Sequence, residues 1–173
     1  MERVLIIGCP GAGKSTFARQ LRKKTGLLLY YLDLIWHRPD HTNCSREEFE
    51  RRLREITSKE RWIIDGNYLR TMEMRLEKCD TVFLLDYPVE LCLASVGARI
   101  GQKREDMPWV EEEFDEEFRQ WILDFPNAQL PLIHEKLKQY AKTRNIIVFR
   151  TRDEAKQYLD DLENFPGQVR VIG

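Results

Sequence analysis

The chain has 173 residues, a length that one hydrophobic core can organise, and 42% of them are hydrophobic, enough to build that core. Its 28 basic residues stand against 29 acidic ones, so it lacks the positive excess of a general nucleic-acid binder. No apolar run approaches the roughly eighteen residues of a membrane span, and the opening Met-Glu-Arg-Val-Leu-Ile-Ile-Gly is not a signal peptide, so a soluble cytoplasmic protein with no membrane partner is expected.

In chain order, short apolar runs alternate with longer helical patterns, the signature of an α/β protein with a parallel sheet between two helical layers. Strands are expected at Arg3–Ile7, Leu28–Leu32, Trp62–Asp65, Thr81–Asp86 and Ile146–Arg150. Helices are expected at Lys14–Thr25, where Phe17, Ala18 and Leu21 share a face, and at Ser45–Lys59, where Phe49, Leu53 and Ile56 do. Ser45 and Glu48 form a capping-box pattern at the start of the latter. Val89–Ile100 and Asp153–Leu162 complete the helical set.

Gly101–Pro108 is a polar connection that could act as a lid. Glu111–Phe125 follows it, with Phe114, Phe118, Trp121, Ile122 and Phe125 at helical spacing, read as packing residues. No linker divides the chain, so residues 1–173 are read as one domain with a lid at about 99–125. Val169 and Val171 alternate in the tail from Phe165 to Gly173, which either docks on the domain or mediates pairing, and both monomer and homodimer stay open. Cys9, Cys44, Cys79 and Cys92 are widely spaced and suggest neither zinc nor a disulfide framework.

The chemistry concentrates in Gly8-Cys9-Pro10-Gly11-Ala12-Gly13-Lys14-Ser15, which matches G-x-x-x-x-G-K-[ST] between a strand and a helix. Glycines let backbone amides turn inward around phosphate oxygens, and the helix start adds its positive dipole end. Lys14 would reach the β- and γ-phosphates and Ser15 would ligate magnesium, with Thr16 next on the helix. The expected cofactors are ATP and Mg2+. The Asn-Lys-x-Asp motif of GTPases is absent, and neither Asp65-Gly66 nor Asp86-Tyr87 supplies the Glu that many P-loop ATPases use to orient water. A phosphotransferase remains, with Arg99, Lys103, Arg104 and Arg119 as candidates to neutralise a transferring phosphoryl group. Cys9, inside the loop, is expected to hinder ATP binding when its thiol is modified.

Beyond this loop the chain resembles the adenylate-kinase-related P-loop kinases and, among them, the DNA topology modulation proteins. The resemblance spans nearly the whole chain. It rests on Gly8–Ser15, Leu32-Asp33-Leu34-Ile35-Trp36 with Pro39, Trp62-Ile63-Ile64-Asp65-Gly66-Asn67-Tyr68 and Arg75-Leu76, and on Asp80, Leu85-Asp86, Asp106-Met107, Arg119-Gln120-Trp121 and Phe125-Pro126. It implies a three-layer P-loop fold with strand order 2-3-1-4-5, a helical lid closing over ATP, and an acceptor site after the second and third strands.

The resemblance also implies that Asp65 holds magnesium through water. Asn67-Tyr68-Leu69-Arg70 stands where nucleoside monophosphate kinases carry Pro-Arg, which puts a monophosphate acceptor in doubt. Asp33 falls where shikimate- and gluconate-type kinases have an acidic residue near the acceptor hydroxyl; it is either the base or a strand-end cap. Arg99 and Arg152 resemble the residues bordering adenine and its phosphates. His37 and His41 read as exposed residues with no third metal ligand. The leading expectation is an ATP-dependent kinase for an unidentified small-molecule acceptor, a hydroxylated metabolite, nucleoside or nucleotide. The alternatives are a nucleotide-dependent regulator acting on DNA, opposed by the runs Glu111-Glu112-Glu113 and Asp115-Glu116-Glu117, and a degenerate kinase that binds nucleotide only for assembly.

Overall fold

A computed structural model describes residues 1–164, so the alternating tail from Phe165 lies outside the described residues. Five strands, β1 (Arg3–Gly8), β2 (Leu29–Tyr31), β3 (Trp62–Asp65), β4 (Thr81–Leu85) and β5 (Asn145–Phe149), pair in the order β2-β3-β1-β4-β5. Every pairing is parallel, with Ile6 beside Asp65 and Gly8 beside Leu85 at the carboxyl ends. The three inner strands are buried almost throughout, as their unbroken Val, Leu and Ile runs demand, while β5 at one edge is partly exposed.

The helices are α1 (Lys14–Thr25), α2 (Leu32–Trp36), α3 (Arg46–Thr57), α4 (Met72–Leu76), α5 (Val89–Arg99), α6 (Glu116–Ala128), α7 (Leu130–Tyr140) and α8 (Arg152–Asn164). α1 and α8 pack together on one face, where Phe17, Phe83 and Phe149 meet at ring separations of 5.0 to 5.8 Å. α5, α6 and α7 form a second packed group and bury Cys92, Val96, Ile122, Phe125, Ile133 and Leu137. No helix among the described residues is long and apolar enough to cross a membrane.

Several boundaries differ from the sequence reading. α2 and α4 are single-turn helices too short to display a period, and α7 starts with Pro131 in its first turn, where a missing N–H costs nothing. α6 begins at Asp115, whose side chain accepts from the Phe118 amide at 3.0 Å, and it runs past Pro126 to Ala128. Residues 100–115 are therefore irregular, and of the expected lid segment beyond them only the part from Glu116 onward is helical. The capping box at Ser45 is half made: its hydroxyl accepts from the Glu48 amide at 3.1 Å, but the Glu48 carboxylate turns to Arg38 and Arg52.

Because β1 lies between β3 and β4, its outgoing loop leaves the sheet where connections run to opposite sides. Such a crevice at the carboxyl ends of parallel strands is where ligands bind in open α/β sheets. Gly8–Ser15, Asp65-Gly66 and Leu85-Asp86 all end there.

Candidate active site

The loop after β1 folds as its glycines require. Gly8, Gly11 and Gly13 have φ values of 148°, 82° and 91°, a region that side chains disfavour. A Cβ on Gly11 would stand 2.2 Å from the Cys92 carbonyl oxygen, so the loop rests directly on α5. The Ala12 amide donates to the Cys9 carbonyl at 3.1 Å, and α1 starts at Lys14 with no acidic residue in its first turn. A helix start with no acidic residue of its own presents a positive dipole end suited to an anion. Lys14 Nζ donates to the carbonyls of Gly8 and Cys9 at 3.0 and 3.1 Å.

Ser15 projects across the loop to two carboxylates. Its Oγ is 2.7 Å from Asp65 Oδ2 and 2.8 Å from Asp106 Oδ2. Asp65 is 5% exposed, and among the described residues its Oδ1 has no hydrogen-bond partner. Burial pushes the Asp65 carboxyl up to about 6, although Lys14 and the Ser15 hydroxyl act in the opposite sense. A buried carboxylate with an orphaned oxygen beside a serine hydroxyl fits a hard cation that takes oxygen ligands. Among the described residues no trio of His, Cys, Asp and Glu is grouped to hold a metal alone, so Ser15 and oxygens from water or phosphate would have to complete the shell.

The end of α5 and the irregular segment after it bring two arginines to the cleft. Arg104 forks onto Asp106, with Nε 3.1 Å from Oδ1 and Nη2 2.6 Å from Oδ2, and its Nη1 reaches Glu111 at 2.6 Å. Arg99, in the last turn of α5, lies 3.3 Å from the same Glu111 carboxylate. Burial acts to lower both guanidiniums; it prevails for Arg99, while the bonds to Asp106 and Glu111 hold Arg104 above the usual range. Both arginines are thus largely out of water beside the carboxylates of Asp106 and Glu111, and among the described residues Arg99 Nε makes no hydrogen bond.

Opposite the loop is a second set of polar groups. Asp33 sits in the first turn of α2 and accepts from the Tyr68 hydroxyl at 2.8 Å. Tyr68 holds the left-handed conformation (φ 40°) because the buried Arg75 grips the chain around it. Arg75 is 0% exposed and donates to the carbonyls of Gly66, Asn67, Tyr68 and Thr71. Burial lowers its pKa to about 9. Asn67 pairs with Gly8 by two bonds, tying this segment to the phosphate loop.

A cleft of about 1330 Å³ joins the two sets. It is lined by Pro10, Gly11, Gly13, Lys14, Ser15 and Thr16, by Asp33 and Asp65, and by Arg99, Arg104 and Arg152. Arg152 donates to Ser95 Oγ at 2.6 Å at the cleft's edge. Gly8, Cys9 and Ala12 do not line the cleft: they form the buried floor of the loop. Arg119 is not brought to the cleft; it lies on the exposed side of α6, 3.3 Å from Glu116. Asp33 is not a strand-end cap, since β2 stops at Tyr31 and a helix follows.

Cys9 is 4% exposed and hydrogen-bonds Cys92, and with burial this holds its thiol protonated, so ready modification of Cys9 is not what its placement favours. His41 is exposed, as read from the sequence, and His37 is half-buried; their rings lie 4.4 and 5.1 Å from that of Trp109. Of the aromatics read as packing, Phe125 is buried, Phe114 and Phe118 pack half-buried against the core while also facing the cleft, and Trp121 is exposed at the cleft. Asn67, Tyr68, Arg75 and Asp106 entered the sequence reading only as motif residues of the resemblance, and Glu111 only in an acidic run; none was assigned to the site. Nothing in their spacing reveals a contact across dozens of residues.

These features define a three-layer P-loop fold with a phosphate-type cradle. Among solved structures it is similar to a shikimate kinase from Acinetobacter baumannii in complex with shikimate, with a TM-score of 0.63 at 17% identity over 99% of this chain and 96% of that one. It is also similar to an unliganded sugar kinase from Janibacter sp. HTCC2649, with a TM-score of 0.55 at 18% identity over 96% and 94% of the two chains. A shikimate kinase from Bacteroides thetaiotaomicron gives a TM-score of 0.54 at 17% identity over 95% and 98%. At such identities the likeness is one of fold. No family model and no curated protein sequence matches the chain.

Proposed function

We propose that the protein is an ATP- and magnesium-dependent small-molecule kinase, a single P-loop domain across residues 1–173 with a lid at about 99–125. The observation that carries this reading is the opposition, across one cleft, of Lys14 and Ser15 to the Tyr68-bound carboxylate of Asp33. A nucleotide-dependent hydrolase would need only the first half of that arrangement. The similarity in fold to shikimate and sugar kinases supports the same class, and the sequence resemblance to topology modulation proteins is consistent with it.

In this reading the triphosphate enters at the start of α1, and Lys14 exchanges the carbonyls of Gly8 and Cys9 for β- and γ-phosphate oxygens. Ser15 and Asp65 hold magnesium, which neutralises and orients those phosphates when bound. Arg99 and Arg104 exchange Glu111 and Asp106 for the transferring group, whose charge they neutralise. Arg152 borders the adenine end. Asp33 accepts the proton of the acceptor hydroxyl as its oxygen bonds to the γ-phosphorus and the bond to ADP breaks, and Tyr68 holds that carboxylate in place.

The acceptor is a hydroxylated metabolite, nucleoside or nucleotide, and the aromatic rings of Trp109, Phe114, Phe118 and Trp121 in the cleft suit a planar or ring-bearing one. Magnesium-dependent ADP release from ATP, measured against a panel of such acceptors, tests the reading. One acceptor should stimulate turnover, and Lys14→Ala and Asp33→Asn should each suppress it. Nucleotide binding with no acceptor-stimulated release across the panel would move the degenerate or regulatory reading ahead.

A further inference from the structure

The geometry around Ser15 points to a ligand that the phosphate loop and β3 do not supply. A serine hydroxyl has one proton, yet Asp65 Oδ2 at 2.7 Å and Asp106 Oδ2 at 2.8 Å both approach the Ser15 oxygen as acceptors. With both carboxyls ionised, one of the two contacts has no proton to fill it. Two carboxylates crowded on one hydroxyl repel each other unless a positive charge lies between them. Two cations act there, each on one carboxylate: Arg104 bonds Asp106 and Glu111 but not Asp65, and Lys14, whose charge favours the ionised Asp65, bonds the carbonyls of Gly8 and Cys9.

A second, independent sign is the orphaned Oδ1 of the buried Asp65. Three oxygen donors from three segments, one of them with an oxygen still unused, make an oxygen-lined corner suited to a divalent cation. We infer that Asp106 is a third protein ligand of the divalent-cation site, so that the metal is held between the phosphate loop, β3 and the lid.

This inference rests on the kinase reading for the presence of the metal and adds that its binding draws the lid shut. Asp106 stands two residues from Arg104, and Arg104 shares Glu111 with Arg99. Coordination of Asp106 would therefore place both arginines at the phosphate loop. The opposing reading is that Asp106 serves only as a salt-bridge partner that fixes Arg104.

Mn2+ titration of the nucleotide-free protein, followed by electron paramagnetic resonance and by the fluorescence of Trp109 and its fellow tryptophans, separates the two. Each variant is first checked for a native melting transition. Asp106→Asn should weaken Mn2+ binding by roughly tenfold or more and abolish the metal-dependent fluorescence change. Arg104→Gln, which frees the Asp106 carboxylate from its competitor, should bind Mn2+ at least as tightly as the unaltered protein. Equal weakening by Asp106→Asn and Arg104→Gln would assign Asp106 a purely structural role and overturn the inference. Mn2+ binding lost in Asp65→Asn but unchanged in Asp106→Asn would overturn it while leaving the magnesium site of the kinase reading intact. No Mn2+ binding by the unaltered protein would also overturn it, and ADP binding in the presence of chelator would show separately whether the nucleotide site stands.

Discussion

The side-chain amide of Asn67 and the backbone of Gly8 close a two-bond ring across 59 positions of sequence: Nδ2 donates to the Gly8 carbonyl at 2.8 Å, and Oδ1 accepts from the Gly8 N–H at 3.0 Å. Only one orientation of the amide satisfies both bonds. This ring joins the segment after β3, which positions Tyr68, to the first residue of the phosphate loop. Asn67→Asp keeps the shape but sets an anion against the Gly8 carbonyl, whereas Asn67→Ala merely removes both bonds. Asn67→Ala should destabilise by about 1–3 kcal/mol and Asn67→Asp by more, read from urea unfolding midpoints.

Among the described residues Arg75 has no carboxylate partner, and it spends its guanidinium on four backbone carbonyls while wholly buried. Arg75→Met fills the space but orphans those acceptors, and the expected loss is on the order of 3 kcal/mol. Arg75→Lys keeps the charge but lacks the planar fork, and it should recover only part of that loss. Denaturant unfolding of both variants checks this. A near-neutral Arg75→Lys would mean that the charge rather than the fork matters.

Gly11 and Gly13 share positive φ values and differ in their surroundings. A Cβ on Gly13 meets nothing within 4 Å, but one on Gly11 meets the Cys92 carbonyl oxygen at 2.2 Å. Gly13→Ala should therefore cost only the conformational strain, about 1–2 kcal/mol. Gly11→Ala should cost clearly more, because the loop must lift off α5. Comparing thermal midpoints of the two variants separates strain from collision.

Glu73 clamps α4 to α7 through Lys136 Nζ at 3.1 Å and the Tyr140 hydroxyl at 2.9 Å, and those bonds hold its carboxyl below the usual range. A carboxylate depressed in the folded state stabilises above its unfolded value of 4.5 and loses that contribution as pH falls through the folded value. Glu73→Gln should accordingly be less stable at neutral pH, with the gap closing in acid and shrinking in high salt. Urea unfolding across the acid range would show an unchanged gap if the clamp contributes nothing electrostatic.

The loop Gly8–Ser15 was legible because its chemistry is local: glycine spacing, a preceding strand and a following helix lie within one stretch of chain. The five strands were legible for a similar reason, since burial on both faces leaves a continuous apolar run. Helices one turn long, such as α2 and α4, carry no period to read. The same locality misled at Arg119 and Cys9. A residue's neighbours in sequence do not say that Arg119 turns to Glu116 outside the cleft, or that Cys9 lies in the floor against Cys92.

By itself the sequence determined the class of fold and the place where phosphate would bind, because backbone conformation and hydrophobic periodicity are set by nearby residues. Only the tertiary structure decided which distant side chains meet there. Asp106 reaches Ser15 across 91 positions, Asn67 reaches Gly8 across 59, and Tyr68 reaches Asp33 across 35. Those contacts exist because parallel strands bring their carboxyl ends to one edge of the sheet and the irregular segment after α5 folds back to it.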